Sequence, residues 1–499
     1  MAAETIEARA GARRLLSGMA WNALGRGLPL LLALALTPVL VGQLGLERWG
    51  LFTLALAMVG VFGIFDLGIG PALTRALSER LADGQDADAG RLVGTAMLAL
   101  GGLACLGAAL LWAVLPWAMH SALNVPPALQ EEALTAFRVL AVAAPLVVLN
   151  AALWGVLAAH QKFRAANLVS IPVSAMYYLG PVLVLMVWPS LVAVMLVLVG
   201  CRLANALCYA WLARKVLPPL SVGRLGLVLP LLRIGGWMTA SSILNQALMY
   251  ADRFLIGAML TLVAVAYYAT PLDLVLRMWI VPVAVVQALL PAMASAWRTA
   301  PEATAGLLRR GGLLVVALVL PPCLILAGFG EWALRLWLGA EFAQGGGTVL
   351  RLLAVGIFFS CLAYAPNALL DAIGRPDAVA KLIAAEVLVF LPLSALLLWR
   401  WGIAGAALAW GLRAAADCAG KLWLARRLFP PAREAARGLV GPALVAGVVL
   451  SAVAAAPEVS WVLGLGAIGL AASVASLLRA LSPAERQALR HPRSLLRVA

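Results

Sequence analysis

Apolar residues recur along almost the whole chain in runs of roughly 20 or more, and short polar stretches between them hold most of the charge. A run of that length crosses a hydrocarbon core as a helix, because lipid offers an unpaired backbone no hydrogen-bond partner. The pattern predicts spans near 16–41, 49–72, 92–118, 133–158, 166–187, 190–213, 230–257, 263–296, 306–328, 349–373, 378–399, 402–424, 438–456 and 459–479. Strands of a closed barrel would alternate polar and apolar positions, and these runs do not. The predicted fold is therefore all-α: a polytopic membrane protein of about 14 spans.

Basic residues set the expected orientation. One set of alternating loops carries Arg9, Arg13, Arg14, Arg75, Arg80, Arg91, Lys162, Arg164, Arg214 and Lys215, and continues in the same way to the tail. The other set holds only Arg48, Arg335, Arg351 and Arg400. Lys and Arg favour the cytoplasmic side, so both termini are expected there. The first apolar run is too long for a cleaved leader and reads as a retained span.

Composition agrees. Of 499 residues, 64% are hydrophobic and 12% charged, and the mean hydropathy is +0.99. Soluble domains carry about twice that charge. The formal net charge of +15 is spread over many short loops. It implies attraction to anionic membrane lipids and no nucleic-acid partner. The six cysteines all fall in apolar runs and read as buried thiols.

The chain also repeats weakly at an offset of about 215 residues. Trp21 to Phe52 parallels Trp237 to Tyr268, and AAHQKF at 158–163 parallels AIGRPD at 372–377. Two six-span units of the same orientation are expected, related by an axis along the membrane normal. The expected division is an N-lobe over 1–213, a cytoplasmic linker over 214–229, a C-lobe over 230–427, and two extra spans with a basic tail over 428–499.

Specific motifs carry a resemblance. From Leu44 the chain reads LGLERWGLFTLALAMVGVFGIFDLGIGPALTRALSE, with an LG…WG turn and a DLGIG exit. YADRFLIG at 250–257, PAMASAWR at 291–298 and AIGRPD add to it. Together these resemble the polysaccharide transporter (oligosaccharide flippase) family of the multidrug/oligosaccharidyl-lipid/polysaccharide exporter superfamily. The resemblance implies rocking between inward-open and outward-open states, with a polyprenyl-pyrophosphate-linked oligosaccharide as cargo. It implies a transporter, not an enzyme, with no cofactor. A polysaccharide polymerase and a chain-length regulator are the expected protein partners. Close alternatives are a cation-coupled multidrug exporter and a lipid II flippase. A membrane glycan polymerase or ligase ranks below them, because the outer loops are short.

Charges inside spans are the candidate site. Each costs roughly 2.5–3.5 kcal/mol at a helix centre on insertion scales, so it must pair, snorkel or line a wet cavity. Asn22 and Arg26 on the first span, Arg138 and Asn150 on the fourth, Asn245 on the seventh, and Asp273 with Arg277 on the eighth are the candidate substrate-binding residues. Snorkelling competes for Arg26 and Arg138. An i, i+4 ion pair competes for Asp273 and Arg277. Asp66, Asp252, Arg253, Arg202, Arg413 and Asp417 read as gating or structural ion pairs, with Arg413, Asp417 and Lys421 as a self-neutralising ladder on the twelfth span. Arginine suits a pyrophosphate because its planar fork binds two oxygens and keeps its proton. Tyr177, Tyr178, Trp154 and Trp279 are candidates for the sugar. No GxxxxGK[ST] loop occurs, and His120, His160 and His491 lack metal-ligand spacing. The DGQDADAG stretch at 83–90 reads as a solvated loop.

Overall fold

The structure is a computed structural model. It describes residues 2–62, 69–82, 86–217, 244, 246, 248–456 and 458–481, and side chains over 30–62, 73, 74, 76–81, 89–217, 244, 246, 248–456 and 458–481. The described residues are almost entirely helical and contain no strand. Eleven of their helices are long and apolar enough to cross a membrane. The expected seventh span and the linker fall largely outside the described residues.

The chain divides into two compact units, Met1–Ala266 and Tyr267–Ala499. The first holds α1 (Ala2–Val61), α2 (Ile69–Ala82), α3 (Asp86–Trp117), α4 (Pro127–Ala141), α5 (Ala143–Ala159), α6 (Phe163–Leu185), α7 (Leu191–Ala213) and α8 (248–259). Gly45, with φ 73°, breaks α1 where the sequence predicts the loop between the first two spans. Only glycine takes that conformation without strain. Within this unit α6 packs on α7 and α1, and α5 packs on α7, α3 and α2. Alanines such as Ala89, Ala96, Ala104 and Ala152 fill the seams beside Leu92, Leu100 and Leu157. Small residues let apolar helices approach closely, and close packing drives helix association in lipid.

The second unit takes most of α9 (Leu262–Leu276), then α10 (Ile280–Ala296), α11 (Pro301–Leu338), α12 (Ala340–Leu362), α13 (Tyr364–Ala372), α14 (Pro376–Leu428), α15 (Ala432–Ala455) and α16 (Val459–Ala480). Pro301 and Pro376 open their helices in the first turn, where the missing N–H costs nothing. Trp401 and Gly402 break the 53-residue α14, Gly402 at φ 60°. The break falls where the sequence predicts the boundary of spans eleven and twelve. Helices α12 and α14 pack against each other. A Cβ on Gly356 would lie 2.7 Å from the Gly411 Cα. The expected spans thirteen and fourteen are α15 and α16, and both pack on α11. The Ser473 hydroxyl donates to the Ala317 carbonyl at 2.5 Å.

The element boundaries repeat. Asp86 and Pro301 start helices 215 residues apart, Phe163 and Pro376 start them 213 apart, and Ala213 and Leu428 end them 215 apart. The AAHQKF and AIGRPD turns share one hydrogen-bond pattern. The Gln161 amide donates to Ala158 O and Lys162 to Leu157 O, both at 2.9 Å; Gly374 donates to Asp371 O at 3.1 Å and Arg375 to Leu370 O at 2.9 Å. This is the Schellman helix stop, with the left-handed residue at Gln161 (φ 56°) and Gly374 (φ 74°). The weak sequence repeat therefore reflects two copies of one helical plan.

Candidate functional site

In the first unit, α5, α6 and α7 border a half-open cavity of about 280 Å³. Asn150, Ser170, Ser174, Tyr177, Arg202 and Asn205 line it. All six lie within helices long enough to span. Their hydrogen bonds form a chain. The Asn205 side-chain amide donates to Asn150 Oδ1 at 2.8 Å, and the Asn150 amide donates to the Arg202 carbonyl at 3.0 Å. The Arg202 guanidinium donates to the Tyr177 hydroxyl at 3.3 Å and lies 5.5 Å from its ring centre. Tyr178 stands edge-on to Tyr177 at 6.0 Å. Arg202 meets no carboxylate among the described residues, and its Nε is buried without an acceptor. The cavity thus combines a positive charge, amides, hydroxyls and aromatic faces. Asn150 was expected here; Arg202, expected as a structural ion pair, shares the cavity with it.

The second unit repeats the motif in another form. Arg413 lies 5.5 Å from the Phe390 ring centre and 5.8 Å from that of Trp410. Tyr177 and Phe390 are 213 residues apart, so the same place in each unit holds an arginine over an aromatic ring. Here the charge is neutralised. Arg413 pairs with Glu386 at 3.5 Å, and Lys421 pairs with Asp417 at 2.9 Å. Glu386 is 8% exposed and Asp417 is also buried. Of the expected ladder, the Asp417–Lys421 step forms, and only the Arg413 end is corrected. Arg413 turns to a carboxylate on the other arm of α14, because the break at Gly402 folds that arm beside it. Glu386 is the residue that sequence reasoning missed. It stands as one acid within an apolar run, and its partner is 27 residues later.

Arg277 occupies a different setting. The apolar run Leu262–Ala296 is 35 residues long, and Arg277 opens the 3-10 turn Arg277–Trp279 near its middle. The turn departs from α-helical spacing, and no ion pair forms with Asp273. Asp273 is half-buried, whereas Arg277 is exposed and makes no hydrogen bond or ion pair among the described residues. The neighbours point elsewhere: Trp279 donates to Ser360 Oγ at 3.0 Å, and Met278 Sδ lies 3.7 Å from the Cys323 thiol.

The other expected residues are placed as follows. Arg138 lies over the Trp112 ring at 5.5 Å, with its Nε buried and unpaired. Asp252 and Arg253 are 0% and 2% exposed, so both are buried. Asp252 Oδ1 accepts from the Arg253 amide at 2.8 Å. Asn22 and Arg26 lie on α1 with side chains outside the described residues, and Asp66 and Asn245 are outside them altogether.

Comparison with known proteins adds the following. The family model described as "Polysaccharide biosynthesis protein" matches residues 15–297. A Shigella flexneri protein named as an O-antigen transporter is 27% identical over 417 residues, which are 83% of this chain and 98% of that protein. Among solved structures, the lipid II flippase MurJ in an inward closed conformation is similar with a TM-score of 0.71 at 12% identity, covering 91% of this chain and 97% of the other. An inward-facing multidrug resistance MATE family transporter of the MOP superfamily is similar with a TM-score of 0.67 at 16% identity, covering 83% and 95%. The two structures share this chain's fold.

Proposed function

The chain belongs to the polysaccharide biosynthesis protein family, and from that premise we propose that it is a transporter, not an enzyme. In this reading it moves a polyprenyl-pyrophosphate-linked oligosaccharide from the cytoplasmic to the outer leaflet of the inner membrane. The Shigella flexneri relative, similar across nearly its whole length, supports a cargo of this class. Fourteen spans, six-helix lobes, cytoplasmic termini and alternating access belong to the same proposal. So do a glycan polymerase and a chain-length regulator as partners.

One observation carries the reading: the Arg202 cavity, a positively charged pocket among spanning helices that meets no carboxylate among the described residues. A pyrophosphate cannot enter hydrocarbon without compensation, since burying an unpaired anion costs far more than any single contact returns. A guanidinium supplies two aligned donors, and amides and hydroxyls replace the water lost by sugar hydroxyls. Tyrosine faces suit the apolar faces of a sugar ring. Arg277, exposed in the middle of an apolar span, is a second point of positive charge on the route. Arg26 remains a third by its place in the sequence.

The test is export in a strain that lacks its own flippase for the same glycan. Arg202→Ala and Arg277→Ala should insert at normal levels and lower export on the order of tenfold to a hundredfold, the loss of one charge-assisted contact. Arg202→Lys should recover part of it, because charge is kept and the planar fork is lost. Wild-type export by both alanine variants would remove these residues from the route.

A further inference from the structure

A second cavity lies in the second unit, away from Arg413. Because α14 folds back at Gly402, its first and last turns meet along an open groove of about 450 Å³. Arg375, Asp377, Lys381, Trp423 and Arg427 line it together with Leu382, Leu424 and Leu428. Asp377 is committed to its neighbours. It accepts from Arg375 at 2.9 and 3.2 Å, and Lys381 lies 3.7 Å from it. Three cations therefore face one carboxylate. Arg427 meets no carboxylate among the described residues and lies 5.2 Å from the Trp423 ring centre. Trp423 is 53% exposed. Cations, an exposed indole and leucines gathered in one groove are the groups that suit a membrane interface.

The first unit carries the same constellation. Lys215 lies over the exposed Trp211 ring at 3.3 Å, four residues on, as Arg427 follows Trp423. Lys162 holds the helix-stop position that Arg375 holds. Each copy of the repeat has kept a cation, a tryptophan and a second cation at the same end.

We infer that the second-unit cavity binds the phosphate of an anionic phospholipid, with Lys381 and Arg427 as its ligands and the acyl chains along Leu382, Leu424 and Leu428. This inference does not depend on the identity of the cargo. Each cation near a lipid surface contributes about fivefold in affinity, so removing both should weaken binding on the order of thirtyfold.

Native mass spectrometry of the full-length protein, released from detergent with added phosphatidylglycerol or phosphatidylcholine, tests it. Wild type should retain phosphatidylglycerol over phosphatidylcholine. The double variant Lys381→Ala/Arg427→Ala should lose that preference, while Arg433→Ala/Arg437→Ala, with equal loss of charge on α15, should keep it. Equal retention of the two lipids by wild type, or an equal loss in both double variants, would overturn the inference. Displacement of the lipid by millimolar inorganic phosphate would do so too, by making this a site for free phosphate; displacement by farnesyl pyrophosphate alone would make it one for isoprenoid pyrophosphates. If Lys381→Ala/Arg427→Ala does not fold, the wild-type lipid preference and the two competitions decide the matter without it.

Discussion

Replacing Arg413 with glutamine should destabilise the protein more than replacing Arg413 and Glu386 together. In the native cluster two cations face two carboxylates: Arg413 with Glu386 at 3.5 Å and Lys421 with Asp417 at 2.9 Å. All four side chains are largely buried, with exposures of 16%, 8%, 13% and 13%. At 3.5 Å and an effective dielectric near 20, the first pair attracts by about 5 kcal/mol before desolvation is counted. Arg413→Gln leaves one ammonium against two carboxylates in a dry site. Breaking one partner out of such a pair costs about 3–5 kcal/mol, because the remaining charge stays buried. The double variant Arg413→Gln/Glu386→Gln removes one charge of each sign and leaves Lys421 paired with Asp417. Its cost should fall to about 1–2 kcal/mol, near that of two exchanged hydrogen bonds. Thermal unfolding in detergent, followed by tryptophan fluorescence, ranks the three proteins directly. The expected order of melting temperature is wild type, double variant, single variant. A double variant that melts at or below Arg413→Gln would show that Glu386 is not the partner that Arg413 neutralises.

Two further outcomes follow from particular contacts. Gly356→Val should weaken the α12–α14 crossing, since even its Cβ would lie 2.7 Å from Gly411 Cα and 2.9 Å from the Trp410 ring; overpacking of this kind costs about 1–3 kcal/mol, read as a lower melting temperature. Glu132→Ala should cost about 1–3 kcal/mol, because its carboxylate accepts from Arg48 at 2.9 Å, Ser190 Oγ at 2.9 Å and the Leu191 amide at 2.8 Å; faster hydrogen exchange at the start of α7 would mark the loss.

How much of this could be read from the sequence depends on the range of each interaction. Runs of apolar residues and the glycines between them are local signals, and Gly45 and Gly402 break helices close to where the hydropathy predicts. The repeat was visible only in traces such as AAHQKF and AIGRPD, since a Schellman stop needs a left-handed residue and not a particular side chain. Gln161 fills that position in one copy and Gly374 in the other. Pairing between helices was hidden. The i, i+4 spacing of Asp273 and Arg277 suggested a pair, but a 3-10 turn begins at Arg277 and changes the geometry. Arg413 and Asp417 suggested another, and the acid that meets Arg413 lies on a separate arm of α14. Spacing along one helix reports which residues can meet, and the fold decides which of them do.

The two copies of the repeat suggest a test in which one is made to resemble the other. In the second unit Glu386 and Phe390 are one turn apart, and Arg413 meets both. In the first unit Val173 and Tyr177 are one turn apart, and Arg202 meets Tyr177. Val173, which lines the Arg202 cavity, thus stands where Glu386 stands in the other copy. A carboxylate introduced there by Val173→Glu should draw the Arg202 guanidinium into an ion pair and cancel the positive charge of the chamber. Two effects should then separate. Thermal stability should hold or rise slightly, because a buried cation gains a partner, while export should fall toward that of Arg202→Ala. Val173→Gln, similar in size and without charge, should retain much more export than Val173→Glu. If glutamine and glutamate lower export equally, the loss comes from filling the cavity, and the free charge of Arg202 is not what the cargo requires.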